Sequence, residues 1–465
     1  MHTKRTLLIH SGVLVTPEGM WEGDLLIHGE TIQALGTDLR AALPAEGDIE
    51  TLDATGLLVL PGVIDAHAHI QLDTGIYKTP DDWFIESRAA AYGGVTTVID
   101  FATQYQGQTL QQAVEARLAE SAPSVIDYAY HVMLTDIPPG EEERLAALAE
   151  LGATSIKLYT TYRPNYYADD ATLLRLLDAA ARYGLMTLVH CENDALVTAQ
   201  TQALIAAGQT GWRYHGQARP VLAEHEAAAR VLFLADAVDA PVVIAHNSSA
   251  RTVALIAEAR DNGQIAFSET TPQYLILDNR VYEGDEPWRY ILQPPLRDPD
   301  EPARLWRMVS AGLVDMLITD HCDYTKAQKL AHDDFTQTPG GLPGMETLLP
   351  LTATYGVEEG WIDWPDVARL LAKNPAQIYG LWPRKGGLHP GADADVVLYD
   401  PHAESVLSAE SLHTLAGYTP YEGLPIRGRV IATLRRGEFL VREGQFTGLE
   451  GSGLYLPREP MYWEQ

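Results

Sequence analysis

Residues 61–70 read PGVIDAHAHI, an apolar run that ends in His67 and His69. Alternate side chains of a β-strand share a face, so two imidazoles one residue apart project together from its carboxyl end. Neutral imidazole is a common ligand for zinc and related metals. A His-x-His pair also arises by chance on exposed strands, so the pair alone says little. Further candidates follow, each where an apolar strand ends: Lys157 in SIKLYTT, His190 in LMTLVHCEN, His246 in PVVIAHNSS and Asp320 in MLITDHC. Each histidine alone reads equally well as a hydrogen-bonded core residue. Placing all of them at strand ends by chance is much harder.

Lys157 needs its own argument. A protonated ammonium repels a metal and offers it no lone pair. If the amine takes up carbon dioxide as a carbamate, it becomes an anion whose two oxygens bridge ions about 3.5–4 Å apart. The competing reading is a structural lysine paired with Asp320 or another acid.

These strand ends belong to a regular alternation. Candidate strands cover 57–69, 96–102, 126–134, 155–161, 185–193, 241–249, 264–270 and 316–322. Helix-like stretches such as EEERLAALAELG and ATLLRLLDAAARYG separate them, with apolar residues at helical spacing and a glycine stop. Eight strands alternating with helices predict an α/β chain folded as a (β/α)8 TIM-type barrel, whose strand carboxyl ends converge on one mouth. A doubly wound open sheet is the runner-up, but no Gly-rich phosphate-binding turn follows the first strand. Insertions fall at 191–240 and 271–315. Hairpin-like segments in the first 57 residues return at 393–400 and 428–444, which predicts a small β-sandwich domain formed by both termini. The expected boundaries are 1–57 and 381–444 for that domain, 58–380 for the barrel, and 445–465 for a carboxyl-terminal docking arm.

Composition narrows the function. With 465 residues, 46% of them hydrophobic and 21% charged, the chain can bury a large core. Its formal charge of −30, from 33 basic and 63 acidic residues, repels nucleic acid and anionic membranes. No apolar run reaches membrane-spanning length and no charged-then-apolar leader opens the chain, so the expectation is a cytoplasmic protein. Two cysteines exclude a disulfide framework. Cys191 is expected to pack away from the cavity. Cys322 shares the side of Asp320 and is expected to be inert.

The segments PGVIDAHAHIQL, RAAAYGGVTTVIDF, GATSIKLYTTY, LVHCEN, VVIAHNSS, PPLRDPDE and ITDHC together resemble the cyclic amidohydrolases, and most of all the dihydropyrimidinase and hydantoinase family. The similarity continues through GLPG (341–344), NPAQIYGL and TPYEG. The resemblance implies two divalent metal ions, zinc being the usual one. His67, His69 and Asp320 would bind the first, His190 and His246 the second, and a carboxylated Lys157 would bridge them. It also implies attack of a metal-bridging hydroxide on a ring amide, with Asp320 as proton shuttle and Tyr162 steadying the oxyanion. Dihydropyrimidines or 5-substituted hydantoins would yield N-carbamoyl amino acids. A homotetramer is the usual assembly of this family.

Two positions depart from the family pattern. Gln293 in LQPPLR stands where a serine commonly precedes the prolines, and Gly340 in TPGGLPG stands where an asparagine is expected. The resemblance implies that these positions contact the cyclic imide mainly through main-chain groups, so the changes alter shape and hydrogen bonding at the ring. By family position Tyr159 and Tyr166 line the pocket for the exocyclic substituent, with Leu72 joining them. Allantoinase is the second enzyme reading. Gln71 and Tyr162 favour dihydropyrimidinase over it, and no arginine near His69 supports dihydroorotase. A non-catalytic scaffold homologue is the alternative of another class; the filled ligand positions argue against it.

Overall fold

The computed structural model describes residues 5–43 and 47–463. Eight parallel strands lie side by side in chain order: β1 (Val63–Asp65), β2 (Val95–Thr103), β3 (Asp127–Met133), β4 (Ser155–Tyr159), β5 (Met186–His190), β6 (Val242–Ile244), β7 (Ala266–Thr270) and β8 (Met316–Leu317). Every residue of β3, β4 and β5 is buried, as a parallel sheet covered on both faces requires. The first and last strands meet just beyond their ladders. Asp320 N donates to the His67 carbonyl at 2.9 Å, and His69 N donates to the His321 carbonyl at 2.7 Å. This seam closes the barrel at the end that carries the candidate ligands.

The intervening helices start where the sequence supplies caps. Asp169 accepts from Thr172 N to begin the helix Asp170–Arg182, and Gly184, at φ 64°, turns the chain after it. The EEERLAALAELG stretch differs from the expected single helix. It forms a 3-10 turn (Glu142–Leu145) followed by a short α-helix (Ala146–Glu150). No side chain caps its start, so the first turn tightens while Leu145 and Leu148 anchor it in the core. The 191–240 insertion adds the helix Asp194–Ala206 before the barrel helix Val221–Asp236.

Both chain ends build the second unit. Its sheet joins Thr6–Thr16, Gly19–His28, Thr31–Gly36, Ile49–Asp53 and Leu58–Pro61 to Val396–Val406, Pro425–Arg435, Glu438–Arg442 and Gln445–Phe446. Leu7, Ile9, Leu14, Leu25, Val59, Val396, Leu398 and Leu434 share its core. The fold is therefore a TIM-type barrel with a β-sandwich domain. One boundary moves: Leu58–Pro61, expected to open the first barrel strand, pairs antiparallel with Val396–Tyr399 instead. Gly62 marks the crossing, because a β-carbon there would lie 2.2 Å from Thr96 Oγ1 and 2.8 Å from Asp395 Cβ.

Buried charge ties the two units together. Lys385 Nζ reaches Asp127 Oδ2 at 2.6 Å, Asp395 Oδ2 at 2.8 Å and Asp393 Oδ2 at 3.0 Å, and Arg436 Nε meets Asp127 at 3.1 Å. The terminal segment runs back over its own barrel. Tyr128 N donates to the Leu454 carbonyl and Leu456 N to the Tyr128 carbonyl. Buried Arg458 bonds Tyr130 O, Ser155 Oγ and Tyr379 O. Among the described residues no helix is long and apolar enough to cross a membrane.

Removing one partner from a buried ion network leaves the others uncompensated, at about 3–5 kcal/mol. Lys385→Met is expected to lower the unfolding free energy by that amount in denaturant titrations. An unchanged midpoint would mean that Arg435 and Arg436 already satisfy the three carboxylates.

Candidate active site

The six candidate ligands line one cavity of about 800 Å³ at the carboxyl ends of the strands. His67 and His69 follow β1, Lys157 lies within β4, His190 ends β5, His246 follows β6 and Asp320 follows β8. His67 Nε2 lies 3.3 Å from Asp320 Oδ1, and His69 Nε2 lies 3.5 Å from the same oxygen. Across the cavity, His190 Nδ1 and His246 Nε2 are 3.0 Å apart. One donor atom each from His67, His246 and Asp320 falls within 4.8 Å of the others. The donors thus form one continuous cluster, with His246 close to both expected sets.

Three residues at this mouth hold left-handed backbone: Tyr162 at φ 72°, Asp320 at φ 52° and His246 at φ 33°. That conformation is unfavourable for side chains with a β-carbon, and it persists where surrounding structure imposes it.

Lys157 is fully buried, and its Nζ has no hydrogen-bond partner. It makes no ion pair among the described residues, because Asp320 faces His67 and His69 instead. Burial pulls its pKa down to about 8, against the opposing pull of Glu269 and Asp320. A buried ammonium with no counter-ion costs several kcal/mol. The lowered pKa enlarges the fraction of deprotonated amine, the form that reacts with carbon dioxide. Burial likewise pushes His67, His190 and His246 towards their neutral, metal-binding form. The donor set suits binding of a divalent cation.

The expected substrate residues border the same cavity: Leu72, Tyr159, Tyr162, Tyr166, Gln293 and Gly340. The Tyr162 ring stands 5.2 Å from that of His190, and Tyr159 lies 5.8 Å from Tyr166. Cys322 lines the cavity, as its spacing from Asp320 suggested, and Cys191 packs away from it against the Val189 carbonyl.

The amidohydrolase family model matches residues 58–440. The chain belongs to this family. It is 39% identical to a D-phenylhydantoinase of Escherichia coli O1:K1, over 98% of each chain. A dihydropyrimidinase from Brevibacillus agri superposes with a TM-score of 0.94 at 35% identity, covering 98% of this chain and 99% of the other. An L-hydantoinase from Arthrobacter aurescens gives 0.89 at 27% identity, over 97% and 99%. This amidohydrolase is thus of the hydantoinase and dihydropyrimidinase type, a hydrolase of cyclic amides from a metal-dependent family.

The amidohydrolase also uses residues that the strand-end reading passed over. Glu269, near the end of β7, holds His67 Nδ1 at 2.5 Å and accepts from His246 N at 3.2 Å. It fixes the His67 tautomer so that Nε2 points into the cavity. Its position at a strand end was the signal; only its pairing with a histidine was hidden. Glu192 does the same for His190, 2.7 Å from Nε2, and it also binds Arg219 at 2.7 Å. The Arg219 guanidinium stands 5.3 Å from the Tyr162 ring centre. A second buried group joins Glu86 to His321 and Asp323, which follow Asp320 in sequence. Gly344 N donates to His321 Nδ1, so a neutral His321 carries its proton on Nε2, towards the two carboxylates. That tautomer leaves no lone pair on Nε2 for a metal.

Outer carboxylates that orient metal-binding imidazoles typically account for 10–100-fold in metal affinity. Glu269→Gln is expected to raise the free zinc concentration needed for half-loading by about that factor. Metal content after dialysis at buffered zinc measures it, and unchanged loading would remove Glu269 from this role.

Proposed function

We propose that the chain is a binuclear-metal cyclic amidase that opens dihydropyrimidines or 5-substituted hydantoins to N-carbamoyl amino acids. The observation that carries this reading is the Lys157 amine, buried without a partner among four imidazoles and Asp320. Carboxylated, Lys157 would become an anion that, with His67, His69, His190, His246 and Asp320, would hold the metal ions. Zinc suits this mixture of nitrogen and oxygen donors. When bound, such ions would supply an activated water, its pKa lowered to about 7, and Lewis-acid polarisation of the ring carbonyl.

The chain's own groups do the rest. Asp320 takes a proton from the attacking water and passes it to the departing ring nitrogen, acting as base and then as acid. Tyr162 donates its hydroxyl proton in a hydrogen bond to the oxyanion. Burial holds that phenol protonated, with the Arg219 guanidinium beside its ring. Because the broken amide lies within a ring, both new ends stay in one product. Tyr77, Tyr159, Tyr166 and Tyr324 give the cavity an aromatic lining that suits an aryl or other bulky apolar substituent.

Lys157→Ala is expected to lose most bound metal and activity together, by metal analysis and hydrolysis assay. Full metal content in that variant would refute the carbamate. Asp320→Ala is expected to lower kcat far more than it raises KM, as loss of an interaction specific to the transition state does. Equal losses in both would remove the shuttle role. A hydrolysis panel of dihydrouracil, hydantoin, phenylhydantoin, allantoin and dihydroorotate with metal-loaded enzyme tests the substrate class.

A further inference from the structure

Gln293 and Gly340 come from separate loops yet share one space. A β-carbon at position 340 would lie 1.8 Å from Gln293 Oε1 and 2.3 Å from both Cδ and Nε2. The backbone at 340 is not in the left-handed region, so its own conformation does not require glycine. The glutamine requires it. The loops cannot spread to relieve such a clash, because buried Lys329 ties them together. Its Nζ donates to the Ile291 carbonyl at 2.7 Å and to the Pro339 carbonyl at 2.8 Å, and Gly341 N bonds the Ile291 carbonyl at 3.0 Å.

The Gln293 carboxamide borders the same cavity as Tyr162 and Asp320, and it hydrogen-bonds no other described residue. A free carboxamide presents an N–H donor beside a carbonyl acceptor. The edge of a cyclic imide presents the complementary pair, a carbonyl beside an N–H. We infer that Gln293 reads the ring edge of the substrate directly with its side chain, and that Gly340 is the space that permits it. The two positions form one specificity element for a cyclic imide, with Lys329 as the positioning residue behind them. This rests on the hydrolase reading above.

The test is steady-state kinetics of the metal-loaded enzyme on phenylhydantoin and dihydrouracil. Gln293→Ser is expected to raise KM about five- to tenfold, the scale of one lost hydrogen bond, with kcat changed less than twofold. Gln293→Met keeps the bulk and discards the polar pair, so it is expected to match Gln293→Ser. Gly340→Ala expels the carboxamide and is expected to give the same rise, and the Gln293→Ser/Gly340→Ala double variant to be no worse than either alone. A wild-type KM in Gln293→Met, or effects that multiply in the double variant, would overturn the inference. A wild-type enzyme that opens no ring on the panel refutes the hydrolase reading itself, before any variant is compared.

Discussion

The arrangement depends on one electrostatic constraint: a lysine side chain buried at the barrel mouth with nothing of opposite charge bonded to it. Proteins bury ammonium groups readily when carboxylates meet them, as Lys385 shows with Asp127, Asp393 and Asp395. Lys157 lacks that compensation, and its neighbours are imidazoles held neutral by burial. The same low-dielectric surroundings that penalise the ammonium pull its pKa down and hold the imidazoles neutral. An array of lone pairs facing a shared volume is poised to bind cations. Without them it is electrostatically incomplete.

Around that core the protein spends carboxylates on direction. Glu269 and Glu192 each grip the outer nitrogen of an imidazole, and Glu192 also seats Arg219 against Tyr162. One buried acid thereby couples a metal-ligand candidate to the tyrosine proposed as oxyanion donor. Left-handed backbone at Tyr162, His246 and Asp320 has the same logic. Each of these residues leaves its strand at an angle that an ordinary extended conformation does not provide, and the packed barrel meets the local cost.

Much of this was legible in the sequence because the barrel converts strand ends into a common address. Period-two spacing placed His67 and His69 on one face, and apolar runs located Lys157, His190, His246 and Asp320 without any knowledge of their distances. Contacts between distant loops were not legible. The fit of Gln293 over Gly340 depends on Lys329 drawing Ile291 and Pro339 together, and no local pattern encodes that. Glu269 was visible as a strand-end acid, but its role rests on a 2.5 Å contact with a residue from the opposite end of the barrel sequence. The boundary at Leu58 was misplaced for a similar reason: an unbroken apolar run conceals a change of sheet, and only Gly62 betrays it.

That change of sheet bears on biosynthesis. The strand that leads into His67 is zipped to Val396–Tyr399, and the barrel wall bearing Lys157 is braced at Ser155 by Arg458. A nascent chain emerging from the ribosome presents its first histidines long before either partner exists. The early segments must therefore wait for residues 396–399 and 458 before these contacts can form. A product cut short before those residues lacks the struts that set its own candidate ligands.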